Sequence, residues 1–362
     1  MTQATARTTT GTSMNTITTA FEHAQALDKR LVGGKAHGLA TMAQAGIPVA
    51  PGFAVTTQAY EAYLRHTGLD QRLAQALGRV DREALGALEA CAREVEAWFD
   101  EVPLPDGLMA PLAQSYASLC QALQMTDVSV AVRSSATAED SAGASFAGEY
   151  ETFVGLRGIA EVERHLRRCW ASAFSARALT YAWKNGIDPL AVDMGVVVQK
   201  TVHARAAGVM FTVSPVTGDR SRIVIEASYG LGLGVVGGDV TPDRFVVAKV
   251  EGHVIERVLG DKHIEYLSGQ QATPVDDERR ALLCMDDAEL TALAKVGKRL
   301  ERLHGAPQDI EFALDRELPR GDNIVLLQCR PVTVLPDRKA PGRAADDALM
   351  RFASGVLSAA SR

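Results

Sequence analysis

The sequence predicts an α+β protein, and three observations carry that expectation. Apolar strand-like runs come in close pairs, at 194–202 with 206–214 and at 309–315 with 324–332. Helix-period segments stand in blocks rather than alternating one for one with strands. No segment repeats at a fixed period.

In chain order, the Thr-rich stretch over residues 1–18 lacks an apolar core and is expected to be a disordered leader, not a secretory signal. Val32-Gly33-Gly34-Lys35 precedes an amphipathic helix with Leu39, Met42 and Ala43 on one face, closed by Gly46. IPVAPGFAV then enters a strand. Residues 58–126 read as mainly helical, with PLPDG (103–107) as a break. VSVAVRS, a small-residue run and YETFVGL read as strand, loop, strand, and 159–184 return to helix. MGVVVQKTV and AAGVMFTVS are expected to pair with each other, and 223–249 to form strand, Gly-rich loop, strand. A last long helix covers 287–304, and DIEFALD and IVLLQCRPV end the pattern as two strands joined by a polar turn.

A chain of 362 residues with 47% hydrophobic and 23% charged side chains can bury a sizeable core. Its net charge of -6 argues against nucleic acid as the main partner. The five cysteines are scattered and never form CxxC, so neither a disulfide framework nor a zinc site is expected, and a cytoplasmic location fits. No apolar run reaches the roughly 18–20 residues that a membrane helix needs.

Four places carry candidate chemistry. Gly33-Gly34-Lys35 opens a helix, where backbone N–H groups and a lysine can bind an anion; a plain glycine turn with a solvated lysine is the alternative. Arg133 closes the apolar run VAV. An arginine there needs an anionic partner, either a protein carboxylate or a phosphate. The loop after it offers hydroxyls and flexible backbone, including Thr137, Ser145 and Gly148. Glu226 ends the apolar run IVI, before a Gly-rich loop whose spacing does not fit a dinucleotide fold. Finally, Asp309 and Glu311 share one face of a strand, and Gln328 and Arg330 share one face of the next. Such a hairpin either holds Mg²⁺ between phosphate oxygens or is a surface salt-bridge ladder.

GGKAHGLATMAQAGIPVAPGFAVTTQAY, VAVRSSATAEDSAGASFAGEYETFVG, VVVQKTV, GVMFTVSPVTG, IEASYGLGLGVVGGDVTPDRF and DIEFAL with IVLLQCRPVT occur in this order. Together they resemble the N-terminal ATP-grasp region of the phosphoenolpyruvate synthase, pyruvate phosphate dikinase and rifampicin phosphotransferase family, over about residues 19–335. The resemblance implies an ATP-grasp fold with a nucleotide cleft between two subdomains, 19–205 and 206–335, and a tail over 336–362. It implies that Lys35 and Arg133 bind the ATP phosphates under a lid over 133–148 that includes Thr137, Ser145 and Gly148. Gln199 and Lys200 would frame the adenine, largely through backbone, and Glu226 would lie on the nucleotide side. Asp309, Glu311 and Gln328 would border the site of Mg²⁺ and triphosphate, with Glu311 and Gln328 holding the metal. Arg330 would assist transfer, with Arg133 and Lys35.

In this family ATP phosphorylates a histidine on a separate swivelling domain, and AMP is released. No match to that histidine block occurs in this sequence, so the expected partner is a separate phosphohistidine and acceptor subunit. The ATP-binding subunit of phenylphosphate synthase is organised in this way, with phenol as acceptor. A split phosphoenolpyruvate synthase and a non-catalytic ATP-binding regulator are the alternatives.

Overall fold

Two antiparallel sheets organise the chain, one after the other in sequence. A computed structural model describes residues 16–137, 150–269 and 271–332, together with the backbone of Asp140–Ser141 and Ala144–Ser145. The first part runs β1 (Thr18–Ala20), α1 (Lys29–Gln44), β2 (Gly52–Val55), α2 (Thr57–Thr67), α3 (Leu69–Arg79), α4 (Leu85–Glu101) and α5 (Asp106–Ala122). It continues with β3 (Val130–Ala136), β4 (Asp140–Ser141), β5 (Ala144–Ser145), β6 (Thr152–Leu156), α6 (Ile159–Ala171), α7 (Ala176–Lys184) and β7 (Met194–Lys200). The second part runs β8 (Ala204–Phe211), β9 (Arg222–Tyr229), α8 (Leu233–Val236), β10 (Asp243–Ala248), β11 (Val254–Val258), β12 (Ile264–Tyr266) and β13 (Ala272–Pro274). It ends with α9 (Asp277–Arg280), α10 (Asp287–His304), β14 (Gln308–Asp315) and β15 (Ile324–Pro331).

The first sheet has the order β1-β2-β7-β3-β6 and the second β11-β10-β9-β8-β14-β15. This is the expected α+β class. One expected pairing is corrected. β7 and β8 are consecutive but do not pair: β7 lies between β2 and β3, and β8 between β9 and β14. The link 201–203 therefore crosses from one sheet to the other. Of the leader expected over 1–18, residues 1–15 lie outside the described residues, and Thr18 already begins β1.

Local signals place the helix ends. Asp286 and Glu289 form a reciprocal capping box at the start of α10, and left-handed Gly305 ends that helix. At the end of α1, Ile47 N–H bonds Met42 O at 3.0 Å and Gly46 N–H bonds Ala43 O at 2.9 Å. This is the glycine-closed end that the sequence suggests, with Gly46 at φ 66°. The sequence missed the break inside α1. Gly33 has φ 79° and ψ 177°, so the helix restarts just before Lys35. A β-carbon at Gly33 would lie 1.7 Å from Ser135 O, so only glycine fits.

Two large cores follow from the strand alternation. On one face of the first sheet, Phe53, Val55, Val130, Val132, Val196 and Val198 pack against the helices α2 to α7. Trp170, Tyr63, Phe99 and Phe174 form the aromatic centre of that layer. Ala54 and Val197, on the other face, belong to a second core. There α1 joins Ile310, Phe312 and Leu326 of the second sheet and Leu290, Leu293 and Leu300 of α10. Each fully buried large apolar side chain contributes roughly 1.5–3 kcal/mol. Helix α1 is thus held between the two sheets, and Lys35 with it. Arg299 of α10 reinforces this by donating to the carbonyls of Ala45 and Gly46 at the negative end of α1.

Candidate nucleotide cleft

The polar face of the second sheet is read off its register. Gln328 opposes Glu311, Glu311 opposes Val209, Val209 opposes Glu226, and Glu226 opposes Arg244. Asp309 and Arg330 form the next cross-strand pair. The alternate residues Ile310, Phe312 and Leu314 lie in the core. The hairpin therefore presents its acids, amide and arginine on one side, because side chains alternate along a strand.

Arg133 reaches this face from the first sheet. On β3 it opposes Val197 of β7, which itself opposes Ala54 of β2, so it shares the face that looks toward α1 and the second sheet. Its Nη2 donates to Glu311 Oε2 and to Gln328 Oε1, both at 2.9 Å, and its Nη1 donates to Leu327 O at 3.0 Å. The Arg133 side chain is 11% exposed, and its Nε is buried without a hydrogen-bond partner. Arg330 is anchored separately, with Nε and Nη2 both 2.8 Å from Asp309 Oδ2.

Glu311 is the electrostatic centre of this group. Burial by itself would raise its carboxyl. The positive charges of Arg133 and Arg330, the hydrogen bond from Arg133 and the charge of Lys35 outweigh burial and hold it below the usual carboxylate range. Three cations from three elements, α1, β3 and β15, therefore converge on one carboxylate. They come together because the Gly33 break lets α1 approach β3. Ser135, two residues from Arg133, accepts from Ala36 N–H at 3.1 Å and donates to Val32 O at 2.8 Å. Gly195 makes room on the neighbouring strand, where a β-carbon would lie 2.5 Å from Val32 O. Neither Ser135 nor Gly195 was singled out from sequence.

The remaining candidates lie elsewhere. Gln199 is buried and its Nε2 donates to Ala50 O at 3.0 Å, so its side chain holds the approach to β2. Lys200 pairs with Glu317 at 2.9 Å and lies 3.8 Å from Asp315. It borders a cavity of ≈ 310 Å³ at the crossing between the sheets, together with Arg157, Val202, His203, Leu267 and Glu317. Lys200 opposes Val130, three residues along β3 from Arg133, so the cavity begins about 10 Å from the cationic cluster. Thr137 donates to Asp193 O through its N–H at 3.1 Å and through its hydroxyl at 3.3 Å. Ser145 is described only as backbone in β5, and Gly148 lies outside the described residues. Glu226 is buried in the same row as Glu311, two strands away. Burial raises its carboxyl, and the charge of Arg244 only partly opposes this.

The donor chemistry suits a hard cation shared with phosphates. Among the described residues no three or more His, Cys, Asp or Glu side chains gather as a metal site. Glu311 and Gln328 do place a carboxylate and an amide oxygen together, and Mg²⁺ commonly takes one or two protein oxygens plus phosphate oxygens.

Residues 29–350 match the family model for the pyruvate phosphate dikinase AMP/ATP-binding domain. The chain belongs to this family. It is an ATP-binding domain of the dikinase type, related to phosphoenolpyruvate synthases. A probable phosphoenolpyruvate synthase of Methanothermobacter thermautotrophicus is 41% identical over 318 residues, which is 87% of this chain and 46% of that protein. The phosphoenolpyruvate synthase of Aeropyrum pernix is 37% identical, over 87% of this chain and 42% of its own length. A rifampicin phosphotransferase of Streptomyces sviceus is 38% identical, over 84% and 34%. The chain thus spans less than half the length of each of these relatives. Its dikinase-type domain has no helix, among the described residues, long and apolar enough to cross a membrane.

Proposed function

We propose that the two sheets close on ATP and Mg²⁺ as in an ATP-grasp enzyme, and that the domain phosphorylates a histidine carried by a separate partner subunit. The observation that carries this reading is the junction of Arg133 with Glu311 and Gln328 across the cleft, with the charges of Lys35 and Arg330 on the same carboxylate. A purely structural ion pair does not need three cations, nor a guanidinium with a buried, unpartnered Nε. A triphosphate supplies the missing anionic oxygens.

In this reading Arg133 releases Glu311 and Gln328 and turns its fork onto the phosphates. Glu311 and Gln328 would then be free to hold Mg²⁺, which would supply neutralisation of phosphate charge. Lys35 sits at the restarted helix, where backbone N–H groups also favour an anion. Arg330, oriented by Asp309, stabilises charge on the transferring phosphoryl group. The histidine nitrogen bonds to the β-phosphorus, the bond from that phosphorus to the oxygen shared with the α-phosphate breaks, and AMP leaves. Water then attacks the γ-phosphorus, the bond from that phosphorus to the oxygen shared with the β-phosphate breaks, and inorganic phosphate departs, so that the β-phosphoryl group stays on the histidine. Of the expected lid, Gly148 lies outside the described residues, and nothing here rests on it.

The relatives bear names with different acceptors, phosphoenolpyruvate synthase and rifampicin phosphotransferase, while matching this same domain. The acceptor site is therefore sought outside it. The narrower proposal is that the partner passes the phosphoryl group to phenol. A cytoplasmic setting accompanies this reading, because ATP is available there and all five cysteines are unpaired.

The test mixes the protein with a candidate histidine-bearing partner and ATP labelled at the β-phosphate. Label on the partner histidine with release of AMP is expected, followed by labelled phenylphosphate when phenol is added. Tight ATP binding with neither label nor AMP, given an intact partner, would leave a nucleotide-binding regulator instead.

A further inference from the structure

The broken turn of α1 is closed by a side chain from another strand. In an unbroken helix the N–H of Ala36 would bond the carbonyl of Val32, four residues back. Gly33, at φ 79° and ψ 177°, takes that turn apart. The hydroxyl of Ser135 stands in the gap. It accepts from Ala36 N–H at 3.1 Å and donates to Val32 O at 2.8 Å. One hydroxyl thus satisfies both ends of one lost ladder bond, and a side chain inserted in this way kinks a helix sharply.

The same hydroxyl caps the restarted helix from outside. With Gly33 before the restart, Gly34, Lys35 and Ala36 are the first three helical residues. The side chain of the residue before a helix ordinarily accepts from the second or third N–H. Gly33 has no such side chain, and a β-carbon there would lie 1.7 Å from Ser135 O and 2.6 Å from Ser135 Oγ. Ser135, fully buried on β3, supplies the acceptor instead. Gly195 opposes it on β7 and leaves the space that the Val32 carbonyl occupies.

This oxygen lies between two cations of the cluster. Arg133 is two residues from Ser135 on β3 and shares its face. Lys35 precedes Ala36, whose N–H the hydroxyl holds. The charges of both Lys35 and Arg133 act on Glu311.

We propose that Ser135 is a positioning residue that fixes Lys35 relative to Arg133, so that both meet the same phosphate chain. The inference rests on the reading of the cleft as an ATP site and deepens it. Ser135 acts through Lys35 and not on the nucleotide directly. Without the hydroxyl, the restart of α1 is set by packing alone. A charged group displaced by about 1 Å loses much of its contact with a bound ligand.

A double-mutant cycle read by calorimetric titration with ATP and Mg²⁺ tests this. Ser135→Ala is expected to weaken ATP binding about tenfold. In a Lys35→Met background the same substitution should weaken it by less than about twofold, because the group that it positions is gone. Ser135→Cys, with a thiol that is a weak donor and a weak acceptor, should fall between the unmodified protein and Ser135→Ala. It carries the cycle if Ser135→Ala does not fold. A serine that only stabilises the fold would give equal factors with and without Lys35, and that result would overturn the assignment. So would an ATP affinity in Ser135→Ala equal to that of the unmodified protein. Failure of the unmodified protein to bind ATP would overturn the reading of the cleft, and this inference with it.

Discussion

The second sheet carries two buried ionic groups that look alike in a list of salt bridges and differ in kind. One is Lys262 with Asp243, at 2.6 Å, both side chains fully buried. Asp243 also accepts from Gly260 N–H at 2.8 Å and Cys284 N–H at 2.7 Å, and Lys262 also donates to Gly260 O at 3.2 Å. Its charges and hydrogen-bonding capacity are met within one part of the fold. The other is Arg133 with Glu311 and Gln328. Its partners come from two sheets, one guanidinium nitrogen is unpartnered, and two further cations act on the same carboxylate. A satisfied buried pair fixes structure, whereas an over-charged and under-bonded one is arranged for something that arrives later.

The sharpest way to break this comparison is to delete one partner at each place. Lys262→Met should destabilise the protein by about 3–5 kcal/mol in urea unfolding, because it leaves the Asp243 charge buried and uncompensated. The double variant Lys262→Met with Asp243→Leu should recover much of that loss. Next in size, Arg330→Ala and Glu311→Ala should fold as the unmodified protein does. Each should lower AMP formation in the partner assay by about 10²–10³-fold, the range for losing one group that stabilises transferring charge. If Arg330→Ala instead unfolds while retaining AMP formation per folded molecule, the two groups have been assigned the wrong way round.

The smallest effect concerns Glu226, and its sign is fixed by pH. Burial raises the folded-state carboxyl above its unfolded value. In the window between those two values the folded state binds more protons, so stability falls as pH rises through it. Glu226→Gln should remove this penalty. Its gain at neutral pH should fade as pH drops below the unfolded value near 4.5. A gain that is the same at pH 4 and pH 7, measured by denaturant unfolding, would show that charge burial is not its source.

Sequence reasoning read this fold unevenly, for identifiable reasons. Helix α10 and the hairpin β14–β15 were legible because their signals are local: capping residues, apolar period and a polar turn. The hairpin's face assignment followed from alternation alone. The partner of β7 was not legible, since β2 lies far away in sequence and periodicity says that a strand exists but not what it pairs with. The Gly33 break was read as a helix entrance when it is an interruption, and its cause, the carbonyl of Ser135, is contributed from another strand. Ser228, two residues beyond Glu226 on β9, shares its face by the same alternation that links Asp309 with Glu311, and its hydroxyl is buried. What no pattern could reveal was that its hydroxyl is left without a partner. Lys262 lies in the unremarkable segment LGDKH, and only tertiary structure shows it fully buried.

The central claim is that Arg133 holds Glu311 and Gln328 only until a triphosphate takes its guanidinium. Calorimetric binding of ATP with Mg²⁺ to the unmodified protein and to Arg133→Met tests it most directly. The account predicts binding that is at least about 100-fold weaker in Arg133→Met, in line with the loss of charge-assisted hydrogen bonds to phosphate, while the melting temperature changes little. Unchanged ATP affinity in Arg133→Met would contradict it, and the junction across the cleft would then be a structural ion pair.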